Sequence, residues 1–159
     1  MNSIVVYGSR HGNTQKVAEA IANELRRPGT VQLFSVDDAP ATIPAKTDLL
    51  VVGGPTEAHR MTQGMMTFFD QFGNNDLEGI AAAGFDTRLT WPRWLSGSAS
   101  AAITVRLRNA GAKLIDPGAS FVVAGKYPVL EPGELERATT WARSLAGKVD
   151  THVPAEAFR

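Results

Sequence analysis

Cysteine is absent from the 159-residue chain. That absence excludes disulfides, thiolate catalysis and iron–sulfur ligation within it, and it fits a cytoplasmic address. A dominant charge is absent too. Lys plus Arg and Asp plus Glu each number 16, so no global field selects nucleic acid or an anionic membrane as a partner. No apolar run approaches the ~20 residues of a membrane helix. The first residues pass directly into an apolar strand pattern, with neither a basic segment nor a small-residue cleavage site, and no signal peptide is expected. Internal repeats, low-complexity tracts and domain linkers are missing as well. What is present is an ordinary globular composition, 43% hydrophobic and 20% charged. It predicts one domain over residues 1–149 with a core of its own. A flexible tail without periodicity, 150–159, is expected to follow.

Residues 4–7, 31–36, 48–52, 80–85 and 120–124 are short apolar runs that read as strands. Between them the apolar residues recur at helical spacing. Val17, Ile21 and Leu25 mark a helix over 14–26 that stops at Pro28-Gly29. Met61, Met65, Phe68, Phe69 and Phe72 mark a second over 62–72, where methionines are expected in the core. Ser98 can cap a third, with Ile103 and Leu107 inward and an end near Gly111. Pro132-Gly133-Glu134 opens a fourth, with Leu135, Ala138, Ala142 and Leu145 facing in. Strands that are apolar throughout, alternating with helices, argue for an α/β fold of three layers: a doubly wound, five-stranded parallel sheet in the order 2-1-3-4-5. Ligands in such sheets bind outside the carboxyl ends of the strands, where the order reverses. Attention therefore falls on the loops after strands one, three and four.

The first loop, Gly8-Ser9-Arg10-His11-Gly12-Asn13-Thr14, combines hydroxyls, a flexible glycine and the unpaired amides of a helix start. Amides and helix dipole together favour a phosphate. The Gly-Lys-Ser/Thr of a triphosphate loop and the spacing Gly-x-Gly-x-x-Gly are both lacking, so a monophosphate fits better. The competing reading is a plain turn with a hydroxyl cap. The second loop runs Gly54-Pro55-Thr56-Glu57-Ala58-His59-Arg60; there Glu57 and His59 also read as solvated side chains. The third, Phe85-Asp86-Thr87-Arg88-Leu89-Thr90-Trp91-Pro92-Arg93-Trp94, places two tryptophans on a polar loop, too much apolar area to leave in water without a use. They could cover a ligand or lie as a lid on the core. Asp37 and Asp38 end the second strand, where a dinucleotide-binding protein would keep its ribose acid. Without the glycine fingerprint that reading is weak.

Tyr7-Gly8-Ser9-x-x-Gly12-Asn13-Thr14, after an apolar strand and before an Ala-rich helix, resembles the phosphate signature of the flavodoxin family. Gly53-Gly54-Pro55-Thr56, Ser96-Gly97-Ser98-Ala99 and Leu130-Glu131-Pro132-Gly133-Glu134-Leu135 extend the resemblance over roughly residues 3–149. It implies a short-chain, flavodoxin-like FMN-binding domain. The phosphate would lie on Ser9, Arg10, His11, Gly12, Asn13 and Thr14. The isoalloxazine ring would lie between Pro55, Thr56, Glu57, Ala58 and His59 on one side and Phe85, Asp86, Thr87, Arg88 and Trp91 on the other. His11 stands where the family has a second threonine, and His59 stands near the position of its stacking aromatic.

The resemblance implies electron transfer between a reductase and an acceptor protein, with no catalytic acid or base and no metal. The Gly-Pro-Thr loop keeps open an NAD(P)H-dependent flavin or quinone reductase. The two histidine departures keep open an FMN-free regulatory or binding module. Arg10, Arg60, Arg88 and Arg93 outnumber Glu57 and Asp86 on the three loops. That rim points to an anionic small molecule or an acidic protein surface as partner, and to a reduced flavin whose negative charge is disfavoured less than in an acidic flavodoxin.

Overall fold

The computed structural model describes residues 1–57, 60–90 and 97–150. Among them are seven strands: β1 (Asn2–Tyr7), β2 (Thr30–Ser35), β3 (Leu49–Pro55), β4 (Ala81–Leu89), β5 (Lys113–Leu114), β6 (Ala119–Ala124) and β7 (Val129–Leu130). Four helices accompany them: α1 (Asn13–Leu25), α2 (Gln63–Asp70), α3 (Ala99–Asn109) and α4 (Glu134–Asp150). The sheet runs β2-β1-β3-β4-β6-β7, with β5 also beside β4. Every pairing is parallel except that of β7 with β6. The expected order 2-1-3-4-5 therefore holds, with β6 in fifth place. No helix among the described residues is long and apolar enough to cross a membrane.

The apolar strands feed two cores by simple alternation. Ile4, Val6, Leu50, Val52 and Ala82 face α2 and α3, meeting Met65, Phe68, Ile103 and Leu107. Val5, Leu49, Val51, Ala83 and Phe85 face α1 and α4, meeting Val17, Ile21, Leu25, Ala138, Ala142 and Leu145. Burial on both faces explains why these strands read as continuous apolar runs. Met61 and Met65 are buried in the first core and Met66 packs on its margin, as their helical spacing implied. On the outer surface Arg143 ties α4 to Glu24 of α1 at 2.9 Å. That hydrogen bond, helped by the charges of Arg143 and Arg27, holds the Glu24 carboxyl below its ordinary range.

The structure departs from the sequence reading in five places. Strand β4 continues through Leu89 rather than stopping at Phe85. Asp86, Thr87 and Arg88 look like loop residues, but β4 lies between two strands at its carboxyl end. Gly54 and Pro55 flank Asp86 and Thr87 on one side, and 120–122 flank 86–88 on the other. The fifth position is divided: β5 pairs with Ala81 and Ala82, and β6 with Phe85 through Leu89. Asp116 organises the break, its carboxylate accepting from the Gly118 amide at 2.9 Å, the Trp141 indole at 3.1 Å and the Lys148 ammonium at 2.8 Å. β7 was not anticipated, because two residues carry no periodicity. Leu135, expected inward, is exposed. The last helix runs through Asp150, and 151–159 lie outside the described residues.

Gly53 is opposite Phe85 in the sheet, and the Phe85 ring lies over it. A Cβ at Gly53 would stand 2.1 Å from the ring's Cζ. The ring in turn packs edge-on against Phe121 and Trp141, with centroids 6.1 Å apart in each pair. Gly53→Ala should therefore lower the stability measured by urea unfolding by about 3 kcal/mol, the upper range for overpacking a core. Adding Phe85→Leu should restore part of that loss if the ring is the obstacle.

Candidate functional site

The carboxyl ends of β1, β3, β4 and β6 converge on a cleft of about 180 Å³. Its floor begins with the loop after β1. Gly12 precedes α1 with φ 86°, a left-handed conformation that glycine adopts without the clash of a Cβ. Its amide donates to the Ser9 hydroxyl at 3.1 Å. Helices α2 and α3 are capped by the hydroxyls of Thr62 and Ser98. Helix α1 has no side-chain cap and no acidic residue in its first turn. The first amides of a helix have no partner within it, so this end presents donors and the positive pole of a dipole toward the cleft.

Two hydrogen bonds fix that helix start. The Asn13 amide donates to the Pro128 carbonyl at 2.7 Å, anchoring the loop to the β6–β7 connection. The hydroxyls of Thr14 and Thr87 lie 2.8 Å apart in buried surroundings, joining the loop to β4. Across the mouth, Arg10 and Glu57 form an ion pair at 3.1 Å. Both side chains also line a wider cavity of about 480 Å³, which reaches Tyr7, Ser35, Asp37 and the first turn of α2. In the second loop Glu57 and Arg60 exchange backbone hydrogen bonds of 2.9 Å.

Beneath the cleft lies Asp86, fully buried. Its Oδ2 accepts from Thr56 Oγ1 at 3.1 Å, Ser98 Oγ at 3.0 Å and the Ser100 amide at 2.9 Å. Thr56 Oγ1 in turn accepts from the Ala99 amide at 3.0 Å. One carboxylate thus joins β3, β4 and the start of α3, at the helix end that favours negative charge. Its Oδ1 has no hydrogen-bond partner among the described residues.

Of the residues proposed from sequence, Arg10, His11, Asn13, Thr14, Pro55, Thr56, Glu57, Thr87 and Arg88 line the cleft together. Ser9 lines the wider cavity, and Gly12 shapes the loop. Phe85 sends its side chain into the core, and Asp86 directs its own to the α3 terminus, so neither side chain lines the cleft. Ala58, His59 and Trp91 lie outside the described residues. Leu89, Val123 and Pro128 also line the cleft and were missed. Leu89 was legible as the end of a longer β4; Pro128 had only the turn Gly125-Lys126-Tyr127-Pro128 to mark it.

With the geometry in view, comparison with known proteins is decisive at the family level. The sequence model of the flavodoxin domain family matches residues 4–127. The chain belongs to the flavodoxin domain family. A flavodoxin from Aquifex aeolicus is 34% identical over 93 residues, a match spanning 55% of this chain and 50% of that protein. Among solved structures, a flavodoxin from the domain Archaea superposes with a TM-score of 0.78 at 25% identity, covering 94% of this chain and 99% of that one. Oxidised Flavodoxin 1 from Bacillus cereus has the same fold at 21% identity, with a TM-score of 0.78 and coverage of 96% and 99%. The rubredoxin oxygen:oxidoreductase of Desulfovibrio gigas matches 97% of this chain with only 37% of its own length, at 14% identity and a TM-score of 0.75. For this flavodoxin-family chain, Asp86→Ala should cost about 3 kcal/mol in urea unfolding, because several buried donors lose their acceptor. Hydrogen exchange at Ala99, Ser100 and Ala101 should quicken in the same variant.

Proposed function

We propose that the chain holds one FMN in this cleft and carries electrons between a reductase and an acceptor protein. The observation that carries the reading is the uncapped start of α1. The two neighbouring helices are closed by their own hydroxyls, whereas this one turns unpaired amides toward the cleft, behind a glycine that no other residue replaces without strain. The donor set is all amide, hydroxyl, imidazole and guanidinium, which suits a phosphate monoester. Ser9, Arg10, His11, Asn13 and Thr14 would hold the phosphate. Pro55, Thr56, Thr87 and Arg88 would flank the ring, and Leu89 with Val123 would supply an apolar wall. Bound FMN would supply one- and two-electron redox chemistry, with a reduced form that is anionic near neutral pH.

Titration with FMN and with riboflavin, followed by quenching of flavin fluorescence, tests the site. FMN should bind at one equivalent and riboflavin at least roughly tenfold more weakly, since it lacks the phosphate. Equal affinities would remove the phosphate assignment. A protein that takes up no flavin would remove the carrier reading altogether. Rapid mixing of the FMN-loaded protein with NADPH should give no direct bleaching, and fast bleaching would favour a reductase instead.

Arg88 sits on the cleft wall, and a cation near the ring favours the anionic reduced form by about 1 kcal/mol. Redox titration should therefore find that Arg88→Gln lowers the potential of the second electron by roughly tens of millivolts. An unchanged potential would show that this guanidinium does not act on the ring.

A further inference from the structure

The wider cavity of about 480 Å³, on the β2 side of the first loop, meets the proposed flavin site only along its border at Ser9, Arg10 and Glu57. Its volume falls within the range of small-molecule pockets. Beyond that border it is lined by Val36 and Asp37 after β2 and by Gln63 and Gly64 at the start of α2.

The turn after β2 is tied down. The Val36 amide donates to the Tyr7 carbonyl at 2.8 Å and the Asp38 amide to the Ser35 carbonyl at 3.1 Å. The Ser35 hydroxyl donates to the Asp38 carboxylate at 3.1 Å. Asp38 is thus spent on closing the turn. Asp37 lines the cavity, and no described residue donates a hydrogen bond to its carboxylate. Gly64 supplies a separate observation. A glycine within a helix costs stability relative to alanine, yet packing does not require this one. A Cβ added there would come no closer than 3.6 Å, to Val36 Cγ2, which is ordinary contact. The missing side chain leaves bare backbone beside Val36 on the cavity wall, a strip on which a flat ring can lie.

Topology brings these features to one place. β2 follows α1 and runs parallel beside β1, so an acid just after β2 stands at the same end of the sheet as the uncapped start of α1. In dinucleotide-binding sheets that combination holds ribose hydroxyls on the acid and phosphate on the helix. The glycine spacing this chain lacks bears on close wrapping of a pyrophosphate, not on the ribose.

We propose that the wider cavity takes the ribonucleoside of a 5′-nucleotide. Asp37 accepts from its 2′- and 3′-hydroxyls, and its base lies on Val36 and Gly64. The Gln63 side chain offers both a donor and an acceptor to the base edge. The 5′-phosphate lies on the α1 start beside Ser9 and Arg10, so the inference rests on the phosphate assignment made above.

Amide chemical shifts of the isotope-labelled, flavin-free full chain test it, with AMP as the probe. AMP should shift residues 35–37, 63 and 64 as well as 9–14, whereas inorganic phosphate should shift 9–14 alone. The 2′,3′-dideoxy analogue of AMP should bind roughly tenfold more weakly, having lost the hydroxyls that meet a charged acceptor. Asp37→Ala, at an exposed position outside the flavin cleft, should weaken AMP to the same extent and leave the dideoxy analogue and FMN no weaker. Removing a carboxylate by itself favours any anion, so this loss runs against a general charge effect. Gly64→Leu, which fills the wall, should erase the shifts at 35–37 and keep those at 9–14. Shifts confined to 9–14, equal affinity for the dideoxy analogue, or undiminished AMP binding by Asp37→Ala would overturn the proposal. If FAD binds more tightly than FMN and Asp37→Ala removes the excess, the nucleotide is half of the flavin dinucleotide. If FAD binds no more tightly while AMP still depends on Asp37, the occupant is a free nucleotide. A chain that takes up FMN and fails the AMP test keeps the carrier reading and loses this one. A chain that passes it and takes up no flavin does the reverse.

Discussion

The Asp86 carboxylate has no exposure to solvent, yet it receives the hydroxyl of Thr56 just past β3, a hydroxyl from the N-cap of α3 and an amide from that helix's first turn. A carboxyl group so placed is tolerable only because these donors and the helix end replace its water. The consequence reaches beyond one residue. Thr56 is held at the end of β3 by the same network, which sets the direction in which the second loop leaves the sheet. The start of α3 is held as well. Both walls of the cleft are therefore positioned by a group that the cleft itself never meets.

The first loop is positioned differently. Its tip at Ser9, Arg10 and His11 is exposed and α1 has no side-chain cap; the buried Asn13 and Thr14 instead bind outward, to the Pro128 carbonyl and the Thr87 hydroxyl. Spending those side chains on neighbouring strands leaves the helix amides without acceptors. A hydroxyl at the N-cap would have closed them, as Thr62 and Ser98 do on α2 and α3. The helix start gains a fixed position from its side chains and keeps its backbone donors for a ligand. Preorganised donors of this kind lose little entropy when an anion arrives.

These arrangements were unequally legible in the sequence. The parallel sheet was plain, because burial on both faces forces Val and Leu at successive positions such as Leu49 through Val52. The first loop stood out for a related reason, since a short loop between strand and helix that could receive an anion has few residue types that can serve it. Asp86 was misleading. Its charge, and those beside it, marked loop to any reading by periodicity, whereas β3 and β6 make it strand and the α3 terminus makes its burial affordable. Phe85 was drawn toward the site by the same adjacency, though strand alternation sends its ring to the opposite core. The contributions of Leu89, Val123 and Pro128 came from a hairpin of two-residue pairing, below the length at which a period can be read.

Composition concealed the electrostatics most completely. Equal numbers of acidic and basic residues exclude a global field, but the sheet order converts chain positions into a lateral gradient. β2 lies at one edge and takes Asp37 and Asp38 with it; β6 lies on the other side of β4, and Lys126 follows it in the β6–β7 connection. Screening removes interactions beyond roughly 8–10 Å at physiological salt. The cleft therefore sees its own Arg10, Glu57 and Arg88 rather than the neutral average. The topology that creates the cleft at the reversal of strand order also decides which sign of charge surrounds it.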